Sequence, residues 1–484
     1  MSATYSAPLL TDLYELTMAA AYWKAGIADR ESVFHLSFRN APFQSGFTVA
    51  CGLGLALEFV RNFHFEEREL AFLESVPGRE GKTLFESQFL GALSDLKFRC
   101  DIDAVPEGTL VFPHEPLLRV QGPILQAQLV ETALLNFLNF GSLIATKAAR
   151  ICLAAQGDSV IEFGLRRAQG PDGGLMASRA AYIGGCSATS NVLAGQTYGI
   201  PLAGTHAHSL VLAYETELQA FQSYAKAFPD NCIFLVDTYD SLRGVSRAIA
   251  LGHELRRLGH QLAGIRLDSG DLAYLSREAR KMLNAAGFPD ALIVGSNDLD
   301  EHIIASLKQQ GAAINVWGVG TRLVTGHDQP ALGGVYKLSA LRDDAGRWQP
   351  KLKLSEQAAK STTPGIPQVR RFRSDKEFIG DAIYDLREAL PERFTIVDPS
   401  DFTRRKLLQE DAETEDLLVP ICRGGQIVYK NPALAEVRQR VVAQLAMFHP
   451  GIKRLVNPHQ YPAGLEAGLH ELKTRAILDA RGAL

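Results

Sequence analysis

Residues suited to binding anions, accepting protons or holding a hard cation recur in this sequence at the ends of short apolar runs. SVIEFGLRR ends on Arg166 and Arg167, and GIPLAGTHAHSL carries Thr205, His206 and His208. CIFLVDTYD ends at Asp237 and Asp240, and LAGIRLDSGD holds Arg266, Asp268 and Asp271. ALIVGSND then closes on Ser296 and Asn297, and INVWGVGTR on Gly318, Gly320 and Thr321. A guanidinium fork matches a carboxylate or phosphate bidentately, so inward-pointing Arg166, Arg167 and Arg266 imply an anionic substrate; pointing elsewhere, they would pair with Asp240 or Asp268. Gly-rich turns at 318–321, beside Ser296 and Asn297, offer backbone amides to a phosphate, or else are tight connections only. Asp268 and Asp271 have the hard oxygens that suit Mg²⁺ or ribose hydroxyls, although Asp271 is also placed to cap the next helix.

His206 and His208 form an HxH pair. Two histidines at that spacing can share zinc, but neither a helical HExxH nor a cysteine cluster accompanies them. A single imidazole there can act as a base or as a nucleophile that accepts a phosphoryl group. No lysine stands at any of the six run ends, which counts against a Schiff-base aldolase.

The elements that must carry these residues are repeating βα units. The six runs succeed one another every 25 to 40 residues or so, and continuous apolar runs suit strands covered by helices on both faces. In such sheets and barrels the carboxyl ends of the strands form the ligand face. No GxGxxG follows the first strand and no GxxxxGK[ST] occurs, which favours a parallel barrel over an open dinucleotide-binding sheet. The barrel region is expected over 136–340, after an N-terminal α/β domain over 1–135. A C-terminal region over 341–484, with a hairpin, antiparallel strands and two helices, is expected to pack back on that first domain. Asp12 is placed to cap a helix over Leu13–Lys24 with Glu15 in capping-box position, and a long apolar helix is expected over 124–154. In the tail, Asn431 with Pro432 marks one helix start, and a second helix is expected from about Gly464 to Ala480.

The bulk composition limits the classes of function. With 50 Lys and Arg against 54 Asp and Glu, the net charge of −4 supplies no basic surplus for a nucleic-acid backbone. The N-terminal stretch meets Asp12 and Glu15 too early for a signal peptide, and no membrane span is expected. Six dispersed cysteines without a CxxC read as reduced thiols of a cytoplasmic protein.

Beyond these readings, EFGLRRAQGPDGG (162–174), GGCSATSNVLAG (184–195), GTHAHS (204–209), RLDSGDL (266–272) and VGTRLVT (319–325) closely resemble the nicotinate phosphoribosyltransferase family. TDLYELTMAAAY and VYKLS match it as well, so the resemblance runs in order over almost the whole chain. It implies an irregular α/β barrel beside an α/β sandwich. The implied reaction transfers phosphoribose from 5-phosphoribosyl 1-diphosphate to nicotinate, coupled to ATP hydrolysis, with Mg²⁺ and a homodimer that shares its active sites. It further implies phosphorylation of His208 and contact of Tyr14, Thr205 and Arg266 with nicotinate. Arg166, Ser296, Asn297, Gly318, Gly320 and Thr321 are expected at the phosphoribosyl diphosphate, with Asp268 supporting the sugar. His206 receives no catalytic role. A nicotinamide or quinolinate transferase, or a nucleotide-metabolite sensor without turnover, are the alternatives.

Overall fold

A computed structural model of the protein describes residues 7–354 and 362–482. The polar loop expected within 342–367 therefore lies partly outside the described residues. The chain forms two compact units, one of residues 144–330 and one that combines residues 1–143 with 331–484. They divide within helix Glu131–Ala155.

The discontinuous unit is mixed α/β. Its seven-stranded antiparallel sheet seats Glu31–Ser37 between Val335–Arg342 and Pro116–Pro123, and Asp101–Ala104 pairs with Val419–Arg423. Strands from both halves of the chain thus complete one sheet. A six-stranded sheet is built wholly from the C-terminal half, around Pro367–Ser374 and Glu377–Asp385. The helix over Leu13–Lys24 forms as expected, but Asp12 makes no side-chain cap. Glu15 does not close a capping box either: burial turns its carboxylate onto Thr11 and the Thr132 amide instead. The apolar stretch from Ile124 is split at Val130 into helices Ile124–Leu129 and Glu131–Ala155. In the tail, the first helix starts at Leu434 behind Ala433 rather than at Asn431, while Gly464 lies inside strand Ala463–Glu466 and the last helix begins at Ala467.

Helix Glu131–Ala155 is the one described helix long and apolar enough to cross a membrane, and 78% of its most apolar window is buried. Its Lys147 and Arg150 both meet the buried Glu301 carboxylate, at 2.8 and 2.9 Å. Two compensated cations of this kind are the marks of a protein-core helix.

The contiguous unit carries the βα pattern. Its sheet is fully parallel in the order Ala188–Thr189, Ser159–Glu162, Val316–Val319, Leu292–Asn297, Gly264–Leu267 and Ile233–Leu235. Five of the six runs supply strands at their expected places. The run 199–210 does not, because Gly199 turns left-handed at φ 68°, Pro201 lacks an amide hydrogen and Gly204 supplies no side chain. This segment makes a single parallel bridge, Leu202 to Thr189, while the Thr189 and Ala203 amides exchange bonds with Pro201 and Thr189 carbonyls. A few residues on, Nε2 of His206 accepts the Leu235 amide hydrogen at 3.1 Å. Residues 201–206 therefore touch both outer strands of the sheet, and they do so as an irregular seam rather than as a seventh strand.

Candidate active site

Polar residues stand at or just beyond the ends of the parallel strands, where some of them cap the helix that follows. Asp240 and Asp271 cap helices Ser241–Arg257 and Leu272–Ala285 through the Arg243 and Tyr274 amides, at 2.8 and 2.9 Å. The capping alternative thus holds for Asp271. Asp268, three residues earlier, is free of that duty and enters the site.

Arg266 sits at the centre. Its Nη1 donates to Thr205 Oγ1 at 3.1 Å, its Nε to Ser296 Oγ at 2.8 Å and its Nη2 to Asp268 Oδ1 at 2.8 Å. Ser296 in turn donates to Asp268. The guanidinium carbon lies 5.4 Å from the centroid of the Phe163 ring, within cation–π range. Three strand tips and the irregular segment thus converge on one cation. His208 is the first residue of helix His208–Leu212; its Nδ1 lies 3.1 Å from Thr238 Oγ1 and its Nε2 lies 3.9 Å from Asp268 Oδ2. Asp237 holds the next turn by accepting the Asp268 amide at 2.9 Å and the Ser269 hydroxyl at 2.6 Å.

The glycine-rich end of strand Val316–Val319 packs against Phe163. A Cβ on Gly318 would stand 2.6 Å from the Phe163 ring, and one on Gly320 would stand 3.1 Å from its carbonyl oxygen. Thr321 opens the short helix Thr321–Val324. Asn297, at the end of its strand, has φ 124° and turns its own Oδ1 onto the Asp298 amide at 2.8 Å. Such a backbone is costly for a side chain with a Cβ and is maintained only by a firm surround. The Leu299 amide donates to the Asn297 carbonyl at 2.7 Å, and Asp300 next in the chain caps helix Glu301–Gln309 and binds Arg322 at 2.5 Å.

Glu162 anchors the first strand tip from beneath. Fully buried, it accepts from Ser178 at 2.8 Å, from Thr189 at 2.6 Å and from the Gly164 amide. Asn191 joins through Ser178 at 3.1 Å and caps helix Val192–Tyr198. The motifs EFG, SATSN and the helix between them are therefore one polar network.

Of the residues singled out from sequence, Thr205, His208, Arg266, Asp268 and Ser296 are joined by these contacts, with Gly318 and Gly320 adjoining through Phe163. Arg166 is exposed on the 3₁₀ turn Leu165–Arg167, outside that set. Tyr14 belongs to the other unit, where burial, then Glu131 and Glu15, push its phenol upward in pKa. Phe163, Asp237 and Thr238 were not singled out as site residues. Asp237 carried a signal in its place at a run end, and Phe163 stood inside the EFGLRR motif; nothing in the type or spacing of Thr238 marked it.

The relatives of this chain share most of its length. Family models described as the nicotinate phosphoribosyltransferase N-terminal and C-terminal domains match residues 9–139 and 368–473. The nicotinate phosphoribosyltransferase of Bacillus subtilis (strain 168) is 44% identical, covering 97% of this chain and 96% of its own. The chain belongs to the nicotinate phosphoribosyltransferase family. The crystal structure of human nicotinic acid phosphoribosyltransferase superposes with a TM-score of 0.84 at 35% identity, over 96% of this chain and 100% of the human one. A nicotinate-nucleotide pyrophosphorylase from Pyrococcus furiosus shares the fold, at a TM-score of 0.70 and 23% identity. Membership of the nicotinate phosphoribosyltransferase family accounts for the ordered motifs along both units.

Proposed function

We propose that this protein transfers phosphoribose from 5-phosphoribosyl 1-diphosphate to nicotinate, using ATP, to give nicotinate mononucleotide and diphosphate in NAD salvage. The observation that carries this reading is Arg266, whose guanidinium is gripped by Thr205, Ser296 and Asp268 beside the Phe163 ring. A cation fixed against an aromatic ring suits a planar aromatic acid.

The pyridine nitrogen is already nucleophilic, so the reaction needs no general base. What the site must do is hold that nitrogen in line with the anomeric carbon and stabilise charge. In this reading Arg266 and Thr205 take the nicotinate carboxylate, Tyr14 supplied by the second subunit of the dimer contacts the pyridine, and Asp268 supports the sugar as positive charge grows on it. The tips carrying Arg166, Ser296, Asn297, Gly318, Gly320 and Thr321 face the donor phosphates. Mg²⁺ fits the donor set: Asp268 leaves Oδ2 toward His208, and Asp237 Oδ1 is buried without a hydrogen-bond partner. When bound, it would neutralise charge on the departing diphosphate.

His208 is the phosphoryl acceptor in this reading. With Nδ1 hydrogen-bonded to Thr238, Nε2 is the nitrogen open to the site. Attack on the terminal phosphorus of ATP forms the N–P bond and releases ADP; later hydrolysis returns the imidazole and phosphate. The phosphoryl group adds a charge of about −2 next to Asp268 and Arg266, which alters the loops at the donor site. A homodimer with shared sites is supported by the exposed apolar residues Val192, Leu193, Leu202 and Leu212, which lie in the seam or in the helices on either side of it. The deciding experiment incubates the pure protein with nicotinate, the phosphoribosyl donor, Mg²⁺ and ATP, then looks for nicotinate mononucleotide by mass. Absence of that product, with or without ATP, refutes the reading.

A further inference from the structure

The imidazole of His206 is buried at the seam of the parallel sheet, between the two residues that the proposed function places at nicotinate and at ATP. From Gly204 to Ala207 no backbone amide in the described hydrogen bonds pairs with a strand, and a Cβ on Gly204 would meet nothing within 4 Å. What holds this stretch is side-chain chemistry. Leu235, at the outer edge of the sheet, has an amide hydrogen that can only donate, so His206 Nε2, 3.1 Å away, must accept. The ring proton then resides on Nδ1, which donates to the Ala207 carbonyl at 3.3 Å. One tautomer satisfies both bonds. The ring is held edge-on to Tyr224, with centroids 5.0 Å apart, and is 8% exposed. Burial, the main cause, and the neighbouring Arg266 cation favour the neutral form against the opposing bond to the Ala207 carbonyl.

We propose that His206 is a positioning residue for the transfer reaction. By pinning the 204–207 segment to strand Ile233–Leu235, it sets where Thr205 meets Arg266 and where His208 meets Thr238. The inference rests on the reading of Thr205 and His208 given above, and it assigns a task to a side chain that never touches substrate. Loss of the acceptor frees the segment while leaving the core strands in place. Both flanking contacts, 3.1 Å each, then lose their fixed spacing.

The test compares full-length His206→Phe, which keeps an aromatic ring but has no acceptor, with His206→Gln. The Gln amide oxygen lies as many bonds from Cα as Nε2 does. Amide hydrogen exchange at Leu235 reads the pin directly, and steady-state kinetics read its effect. Expected in His206→Phe are faster Leu235 exchange, a nicotinate KM raised at least about fivefold, a donor KM changed less than about twofold, and ATP stimulation at least halved. His206→Gln should restore all four to within about twofold of the parent. If the Phe variant does not fold, His206→Met lacks a strong acceptor and carries the same expectations. Parental kinetics in either acceptor-less variant despite faster Leu235 exchange would overturn the proposal, as would Gln protecting Leu235 without restoring catalysis. A parent protein inactive on nicotinate would refute the functional reading instead, and the exchange arm would still report the pin.

Discussion

Arg266 Nη1 reaches Thr205 Oγ1 at 3.1 Å although 61 residues separate them in the chain. That bond ties a regular strand to the irregular seam, and it makes Arg266 less a free anion receptor than a cation with three protein partners. Nicotinate must therefore compete with, or share, the grip of Thr205, Ser296 and Asp268.

Arg266→Ala should raise the nicotinate KM much more than the donor KM. A lost charge-assisted hydrogen bond of about 1.5–3 kcal/mol corresponds to roughly a ten- to hundredfold effect. Equal rises for both substrates would show that this arginine serves the phosphates. Lysine should not rescue, since it cannot hold three neighbours in a plane.

His208→Ala should abolish stimulation by ATP and retain basal transfer. Thr238→Val, which removes the Nδ1 partner and keeps the shape, should weaken the stimulation without removing it. Initial rates with and without ATP decide both; stimulation that survives in His208→Ala excludes a phosphohistidine at this position.

Glu15 predicts a pH dependence of stability in the discontinuous unit. Burial raises its carboxyl from 4.5 to about 7 against the opposing bonds from Thr11 and Thr132. Between those values the unfolded chain releases a proton that the folded chain keeps, so stability is full below about pH 4.5 and is lost as pH rises through about 7. The gap corresponds to on the order of 3 kcal/mol. Glu15→Gln, which imitates the protonated acid, should raise Tm relative to the parent at about pH 8.5 and make little difference at about pH 4.5. A larger gain at the acidic end would reverse the sign and defeat the assignment.

Glu301 should be among the costliest carboxylates to remove. Burial pushes its pKa up, but Lys147 and Arg150 outweigh that and hold it below the usual range. Glu301→Ala would leave both cations buried without their shared counter-charge, a loss of about 3–5 kcal/mol by denaturant titration. A loss under about 1 kcal/mol would mean that water reaches the cluster.

The strand tips were readable in the sequence because a buried parallel strand must be apolar and its end need not be. That pattern alone marked Arg266, Asp268 and Ser296. The seam reads as a strand in the sequence because Ile-Pro-Leu-Ala between two glycines is apolar, while the amide missing at Pro201 and the turn at Gly199 act only through three-dimensional pairing. Asp12 fits every rule for a cap, yet tertiary burial claimed Glu15 for Thr132. Thr238 could not be found from spacing, since its partner His208 lies 30 residues upstream on another element.

The two-segment make-up of one unit has a consequence during biosynthesis. Val33 accepts from Ser339, 306 residues later in the chain, so the first sheet strands leave the ribosome long before their neighbours exist. At about 5–20 residues per second that delay is on the order of 15–60 s. Residues 144–330 are contiguous and can finish within it, while the earlier strands wait with open edges, the period in which a nascent chain of this protein most needs a chaperone.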